Sequence, residues 1–328
     1  MARRAVIHGI GHSVPDKVLT NADLERMVET NDEWIVQRTG IKERRVCRED
    51  ETTGTLATAA SRQALENAGV SAEEVDVIVC GTCTPDMPIP ATACLIQDAI
   101  GARSAAAFDL NAACPGFIYS AAVGASMLES GLFRTALVIG ADALTKHVDY
   151  TDRSTCVLFG DAAGAVVMRS EENTDRGLIS SVLLSDGSGA KHINVEAGGT
   201  RFPMQHACHH NARNTVYMNG SEVYRFAVTA MGDACCKVLD LAGMTPDDID
   251  LFVPHQANIR IIESGAKRLN LPPEKVFINI EKYGNTSGGS VPLALYEAWE
   301  TGRIREGSVV LTVAFGAGLV WGANLIRW

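Results

Sequence analysis

Positive charge is scarce in this chain of 328 residues: 29 Lys and Arg stand against 39 Asp and Glu, a net charge of −10. That balance excludes general nucleic-acid binding, and an acidic partner would have to meet a local basic patch. Cofactor signatures are missing as well. There is no nucleotide-binding glycine fingerprint, no lysine-anchored cofactor motif and no convincing set of metal ligands, so no cofactor and no metal are expected. The nine cysteines are odd in number and lack the spacing of a disulfide framework. The start of the chain, Met1-Ala2-Arg3-Arg4-Ala5-Val6-Ile7-His8, runs into a strand-like segment without the apolar core of a secretory signal. A cytoplasmic protein with reduced thiols is expected. No uninterrupted membrane span is present either. Residues 112–128 carry Pro115 near their start and are mostly small, and residues 307–326 are broken by Phe315-Gly316-Ala317-Gly318, which reads as a buried strand–turn–strand.

What the chain does have is a sizeable apolar fraction, 46%, and an internal repeat. Residues 68–79 and 242–253 align at an offset of 174 (242 − 68). Each opens with Ala-Gly (Ala68-Gly69; Ala242-Gly243), passes an acidic turn (Glu73-Glu74; Asp247-Asp248) and ends in an apolar strand. Asn111 and Asn285 lie at the same offset (285 − 111), each opening a run of small residues. Two matches at one offset predict a duplicated α/β protein with halves 1–172 and 173–328, joined through the polar stretch 170–177. Equivalent loops of the two halves would then meet at a shared cleft.

Three segments carry chemistry. In Phe108-Asp109-Leu110-Asn111-Ala112-Ala113-Cys114-Pro115-Gly116-Phe117 an apolar strand breaks into a small-residue helix, with Pro115 suited to the first helical position. A thiol at a helix N-terminus faces unpaired N–H groups and is expected to have a depressed pKa, although cysteine is also a common packing residue. Pro254-His255-Gln256-Ala257-Asn258-Ile259-Arg260 follows the buried strand Leu251-Phe252-Val253, which makes His255 either a site residue or a structural loop histidine. Gly284-Asn285-Thr286-Ser287-Gly288-Gly289-Ser290 is a glycine-rich turn in which Asn285, Thr286 or Ser287 could equally cap a helix.

Taken together, Asn-Ala-Ala-Cys-Pro-Gly-Phe at 111–117, Pro-His-Gln-Ala-Asn at 254–258 and Gly-Asn-Thr-Ser-Gly-Gly-Ser at 284–290 resemble β-ketoacyl-acyl-carrier-protein synthase III, a condensing enzyme of the thiolase superfamily. The resemblance runs end to end, from Asp32-Glu33-Trp34-Ile35 through Asp152-Arg153 and Phe159-Gly160-Asp161 to Trp321-Gly322. It implies a thiolase-like α/β fold of five layers, α-β-α-β-α. It also implies an initiating condensation of fatty-acid synthesis, in which an acyl-CoA primer is loaded onto Cys114. The acyl-enzyme is then condensed, with loss of carbon dioxide, with a malonyl group on acyl carrier protein. His255 and Asn285 would donate to the enolate oxygen. Backbone of Gly316, Ala317 and Gly318, with the N–H of Cys114, would meet the acyl oxygen; Ala317 stands where the family has glycine. No second cysteine occupies that loop, so carbanion formation by decarboxylation rather than by a base fits.

The resemblance further implies a CoA site with Trp34 and Arg153 sandwiching the adenine, Arg38 near the phosphates and Asn258 on the pantetheine arm. Arg225, Arg260, Lys267 and Arg268 would dock the acidic acyl carrier protein. A homodimer is implied, with the loop 84–90 capping the partner's acyl pocket. Met87 or Ile89 stands there where some members have phenylalanine, which suggests longer or branched primers. Competing readings are a related synthase of secondary metabolism, a long-chain acyl-CoA condensing enzyme, a thioesterase and a non-catalytic acyl-CoA-binding homologue. Cys80-Gly81-Thr82-Cys83 has redox spacing but continues a buried strand and reads as packing. His206-Ala207-Cys208-His209-His210 lacks a second ligand pair and reads as a surface loop rather than a metal site.

Overall fold

Strong apolar β-propensity, interrupted at regular intervals by small-residue helices, builds two sheets. The structure, a computed structural model, describes residues 3–205 and 211–328; the 206–210 histidine cluster lies outside the described residues. The first sheet has the spatial order Arg3–Ser13, Asp161–Glu172, Thr135–Ala143, Val77–Gly81, Ala106–Leu110. The second runs Gly177–Ser185, Val320–Arg327, Val309–Gly316, Leu251–Pro254. The pairing senses match strand for strand. In each sheet the first two neighbouring pairs are antiparallel and the next is parallel. The first sheet's parallel edge pair is reduced in the second to one parallel bridge, Phe252 to Val276.

The repeat seen in the sequence is visible atom by atom. Helices Thr53–Ala68 and Gly220–Ala242 both stop at a left-handed glycine, Gly69 (φ +63°) and Gly243 (φ +66°). In the acidic turns that follow, Ser71 N–H donates to Glu74 and Thr245 N–H to Asp248. Asp76 then ties Val77–Gly81 to Thr135–Ala143, as Asp250 ties Leu251–Pro254 to Val309–Gly316.

Helices Gly116–Glu129 and Ser290–Glu300 lie between the sheets, with Thr53–Ala68 and Gly220–Ala242 on the outer faces, giving five layers. The central strand Thr135–Ala143 is buried at all nine positions, as expected of a strand covered on both sides. The middle layer needs small residues. A Cβ on Gly81 would stand 2.4 Å from the Gly116 backbone, and one on Gly140 would stand 2.3 Å from the Gly288 carbonyl. Those two contacts bring the Cys114 loop and the Asn285 loop to the same place. The segment 307–326 forms antiparallel strands joined by a tight turn, as its sequence predicts. Among the described residues no helix is long and apolar enough to cross a membrane.

Candidate active site

Cys114 lies in the turn between the strand Ala106–Leu110 and the helix Gly116–Glu129. Asn111 Oδ1 accepts from the Ala113 N–H at 3.2 Å, and Ala113 adopts φ +49°. An alanine held in that region is strained by about 1–2 kcal/mol. The turn closes through Gly116 N–H on the Ala113 carbonyl at 2.8 Å. Pro115 is the N-cap, so the helix begins one residue later than its sequence predicts.

The opposite loop repeats this geometry. Asn285 Oδ1 accepts from the Ser287 N–H at 2.9 Å, and Ser287 has φ +50°. Ala113 and Ser287 are themselves 174 apart (287 − 113). Because a backbone N–H must meet an oxygen, the Asn285 side chain is oriented with its amide N–H groups turned away from that bond. Its backbone is clamped on both sides, N–H to the Leu158 carbonyl at 2.9 Å and carbonyl from the Gly160 N–H at 3.0 Å. Buried Asp142 joins this loop to the segment 82–84. Its Oδ2 accepts from the Gly288 N–H at 2.8 Å, and its Oδ1 accepts from the Thr82 and Thr84 hydroxyls and the Cys83 and Thr84 N–H groups.

His255 follows Leu251–Pro254 and is 1% exposed. The Ser290 oxygen accepts from the Gln256 N–H at 2.8 Å and sits 2.9 Å from His255 Nδ1. When the Ser290 hydroxyl donates to Nδ1, the ring proton lies on Nε2. Nε2 has no partner among the protein atoms. Burial holds His255 down at about 3, so the ring is neutral at physiological pH. The edge of Phe315 packs on it, with ring centroids 5.5 Å apart.

Cys114, His255 and Asn285 line one cavity of about 930 Å³ with Phe315 and Gly316. Gly316 is pressed against the Cys114 turn; a Cβ there would lie 2.9 Å from the Cys114 nitrogen. The adjoining Ala317 and Gly318 form the turn before Val320–Arg327 and do not line the cavity. One expectation fails. The Cys114 thiol is not depressed: burial pushes it up to about 12, against the opposing pull of the Ser287 hydroxyl and its own N–H. The sequence reveals the helix end but not the depth at which the sulfur sits.

The outer part of the cavity holds Trp34, Arg38 and Asn258, with Arg225 and Arg260 also in its wall. Trp34 belongs to the helix Asp32–Thr39, capped by Asn31 and stopped by Gly40 at φ +82°. Arg153 and Arg38 both lie over its indole, 4.9 and 5.3 Å from the ring centroid. Arg153 is stacked directly on Trp34, with no gap for a base between them. Asn258 caps the helix Ile259–Arg268 and donates to the Arg38 carbonyl at 2.9 Å.

The basic set divides. Arg260 donates to the Gln37 carbonyl, and Arg225 pairs with Glu222. Lys267 and Arg268 are exposed on the last turn of the helix and are not in the cavity wall. Met87 and Ile89 are 41% and 86% exposed and do not reach this chain's own cavity. Every described cysteine is a free thiol, including Cys80 and Cys83. Among the described residues no group of three or more His, Cys, Asp or Glu is arranged to hold a metal ion. Ser290, Ser287 and Asp142 are the functional-site residues that sequence reading missed. The repeat offset pointed at Ser287, whose counterpart is Ala113.

Comparison with known proteins gives a consistent picture. The family profile 3-oxoacyl-[acyl-carrier-protein] synthase III matches residues 108–187, and the profile of its C-terminal region matches 239–328. The β-ketoacyl-[acyl-carrier-protein] synthase III of Symbiobacterium thermophilum is 53% identical over 98% of this chain and 97% of its own. That of a Roseiflexus species is 53% identical over 100% and 99%. The crystal structure of the 3-oxoacyl-[acyl-carrier-protein] synthase III of Aquifex aeolicus superposes with a TM-score of 0.92 at 44% identity, covering 99% of this chain and 100% of that one.

Proposed function

Because the chain belongs to the β-ketoacyl-[acyl-carrier-protein] synthase III family, acyltransferases that carry out the initiating condensation of fatty-acid synthesis, we propose that Cys114, His255 and Asn285 divide that reaction between them. In the first half, the Cys114 sulfur attacks the thioester carbonyl of an acyl-CoA. The new carbon–sulfur bond replaces the one to CoA, and the thiol proton leaves on the CoA sulfur. In the second, malonyl-acyl carrier protein loses carbon dioxide, and the electron pair of the broken C–C bond forms an enolate. The enolate carbon attacks the acyl-cysteine, and Cys114 leaves as thiolate.

The observation that carries this reading is the pair of neutral donors beside the thiol. His255 Nε2 is buried without a partner and is a donor in the tautomer whose Nδ1 accepts from Ser290, and the Asn285 amide is turned by the Ser287 N–H so that its donors are free. Two fixed neutral donors suit an oxygen that becomes negative only in the transition state, since they need no reorganisation when the charge appears. The backbone of Gly316, packed on Cys114, with Ala317 and Gly318 beyond it, supports a second oxyanion site for the acyl-cysteine. No step needs a cofactor.

Trp34, Arg38, Arg153 and Asn258 would hold the CoA. Arg225, Arg260, Lys267 and Arg268 would meet the acidic carrier protein at and beyond the cavity mouth. The exposed Met87 and Ile89 support a homodimer in which the loop 84–90 of each chain caps the acyl pocket of the other. We assign the halves to residues 1–172 and 173–328 and the enzyme to the cytoplasm, without membrane association. The test separates the half-reactions. His255→Ala and Asn285→Ala should still load acyl groups onto Cys114, with condensation reduced by about 100- to 1,000-fold. Loss of loading in either variant, or condensation at the parent rate, would overturn the assignment.

A further inference from the structure

The Ser287 hydroxyl is 1% exposed and sits between two sulfurs. Its Oγ donates to Cys114 Sγ at 3.5 Å, while Cys83 Sγ lies 3.8 Å away on the other side. Its backbone is left-handed, a conformation that glycine adopts freely and serine does not. The loop already contains Gly284, Gly288 and Gly289, so a glycine would be the conformational choice here. A strained serine whose hydroxyl meets the nucleophile is there for its side chain. The fold also holds it firmly, through the Asn285 side chain on its own N–H and through Asp142 on the next residue.

We propose that Ser287 is a further catalytic residue, whose hydroxyl donates to the Cys114 sulfur and stabilises the thiolate. The inference rests on Cys114 being the nucleophile. The need is evident from the burial of the sulfur, which together with the negative charge of Asp142 works against ionisation. A hydroxyl is suited to that need. It adds no charge to a site whose other donors are neutral, and it bonds more strongly to an anion than to a thiol. It serves twice, when the thiolate attacks the primer and when the thiolate leaves the β-ketoacyl product. Cys83 is a positioning residue. Its own N–H is fixed on Asp142, and its sulfur lies 3.8 Å from Ser287 Oγ; with the serine proton given to Cys114, the Cys83 S–H is the donor of that contact. The chain of donors is Cys83 S–H to Ser287 O–H to Cys114.

The experiment is the pH profile of Cys114 alkylation by iodoacetamide, followed on the Cys114 peptide by mass spectrometry. Ser287→Ala and Ser287→Gly both remove the hydroxyl, keep the N–H that orients Asn285, and differ in backbone preference. Both should move the inflection upward by about one pH unit or more and slow alkylation about tenfold below it. Cys83→Ala should move it in the same direction by less, and Cys83→Ser should restore it. Unmoved inflections in both Ser287 variants, or a glycine variant that behaves like the parent protein, would overturn the proposal; a structural role alone lowers the rate without moving the inflection. Loading of the parent protein from acyl-CoA is measured alongside. An acyl adduct on Cys114 with unshifted variants overturns only the role of Ser287, whereas no adduct overturns the nucleophile assignment as well.

Discussion

His255 is buried, and that burial has a thermodynamic signature. The folded ring is held at about 3, far below the ordinary 6.5. On unfolding the imidazole takes up a proton anywhere between those values, so the unfolded state binds more protons in that window. The stabilising contribution is therefore complete above about pH 6.5 and is lost as pH falls toward 3, by up to about 1.4 kcal/mol per pH unit. Urea midpoints measured from pH 7 to pH 4 should fall less steeply in His255→Gln than in the parent protein; parallel slopes would mean that His255 is solvated and protonatable in the folded state. At this scale the sequence pointed to Cys114, His255 and Asn285, each just past a strand end or a glycine, and the fold brings the three into one cavity. It was uninformative about their electrostatics. A helix terminus is visible in a sequence and argues for a low thiol pKa, but the desolvation that opposes it comes from chain segments far away. Ser290, whose hydroxyl meets the histidine ring, lies 35 residues from His255 and can be recognised only in three dimensions.

The turn is the element that makes the site, and the fold uses it twice. In one half an Asn side chain caps a left-handed alanine and the next residue is Cys114. In the other the same Asn-capped turn carries Asn285 and Ser287, and its next residue, Gly288, admits the close approach of the first half. Left-handed backbone at Ala113 is needed to aim Cys114, so a β-branched residue there should disrupt the turn. Ala113→Val should lower stability by about 2 kcal/mol or more and abolish loading, whereas Ala113→Gly should keep the fold at equal or greater stability. Urea unfolding of the two variants checks this, and equal stabilities would show that the turn relaxes freely. The repeat of 174 residues was readable from the helix stops and acidic turns, since capping chemistry is local. The closed stacking of Arg153 on Trp34 was not, because the helix of Trp34 and the short helix Arg153–Cys156 meet only through the tertiary fold.

For the whole molecule, charge and assembly decide access. The chain is acidic, yet Arg225 and Arg260 stand in the cavity wall and Lys267 and Arg268 continue along one helix. An acidic carrier protein would be steered there against the net charge, and such steering weakens with salt. Lys267→Glu should raise KM for malonyl-acyl carrier protein several-fold at low salt, with the difference shrinking at high salt and loading from acyl-CoA unchanged. A salt-independent effect would point to a folding defect instead. The thiolase-like fold was legible from the sequence because both halves repeat one pattern; the splitting of the basic residues into mouth and helix-end pairs was not, since it depends on where the helix Ile259–Arg268 points. Ile89, 86% exposed on one chain, is explained if it covers the acyl pocket of a second. All of this turns on covalent loading of one cysteine. The most direct measurement is intact mass after incubation with acetyl, longer straight-chain and branched acyl-CoAs, in the parent protein and in Cys114→Ser, followed by addition of malonyl-acyl carrier protein. The expected result is a single acyl adduct that requires Cys114, extends to primers beyond acetyl, and disappears as β-ketoacyl-acyl carrier protein forms. An adduct that persists in Cys114→Ser, or one that never condenses, would contradict it.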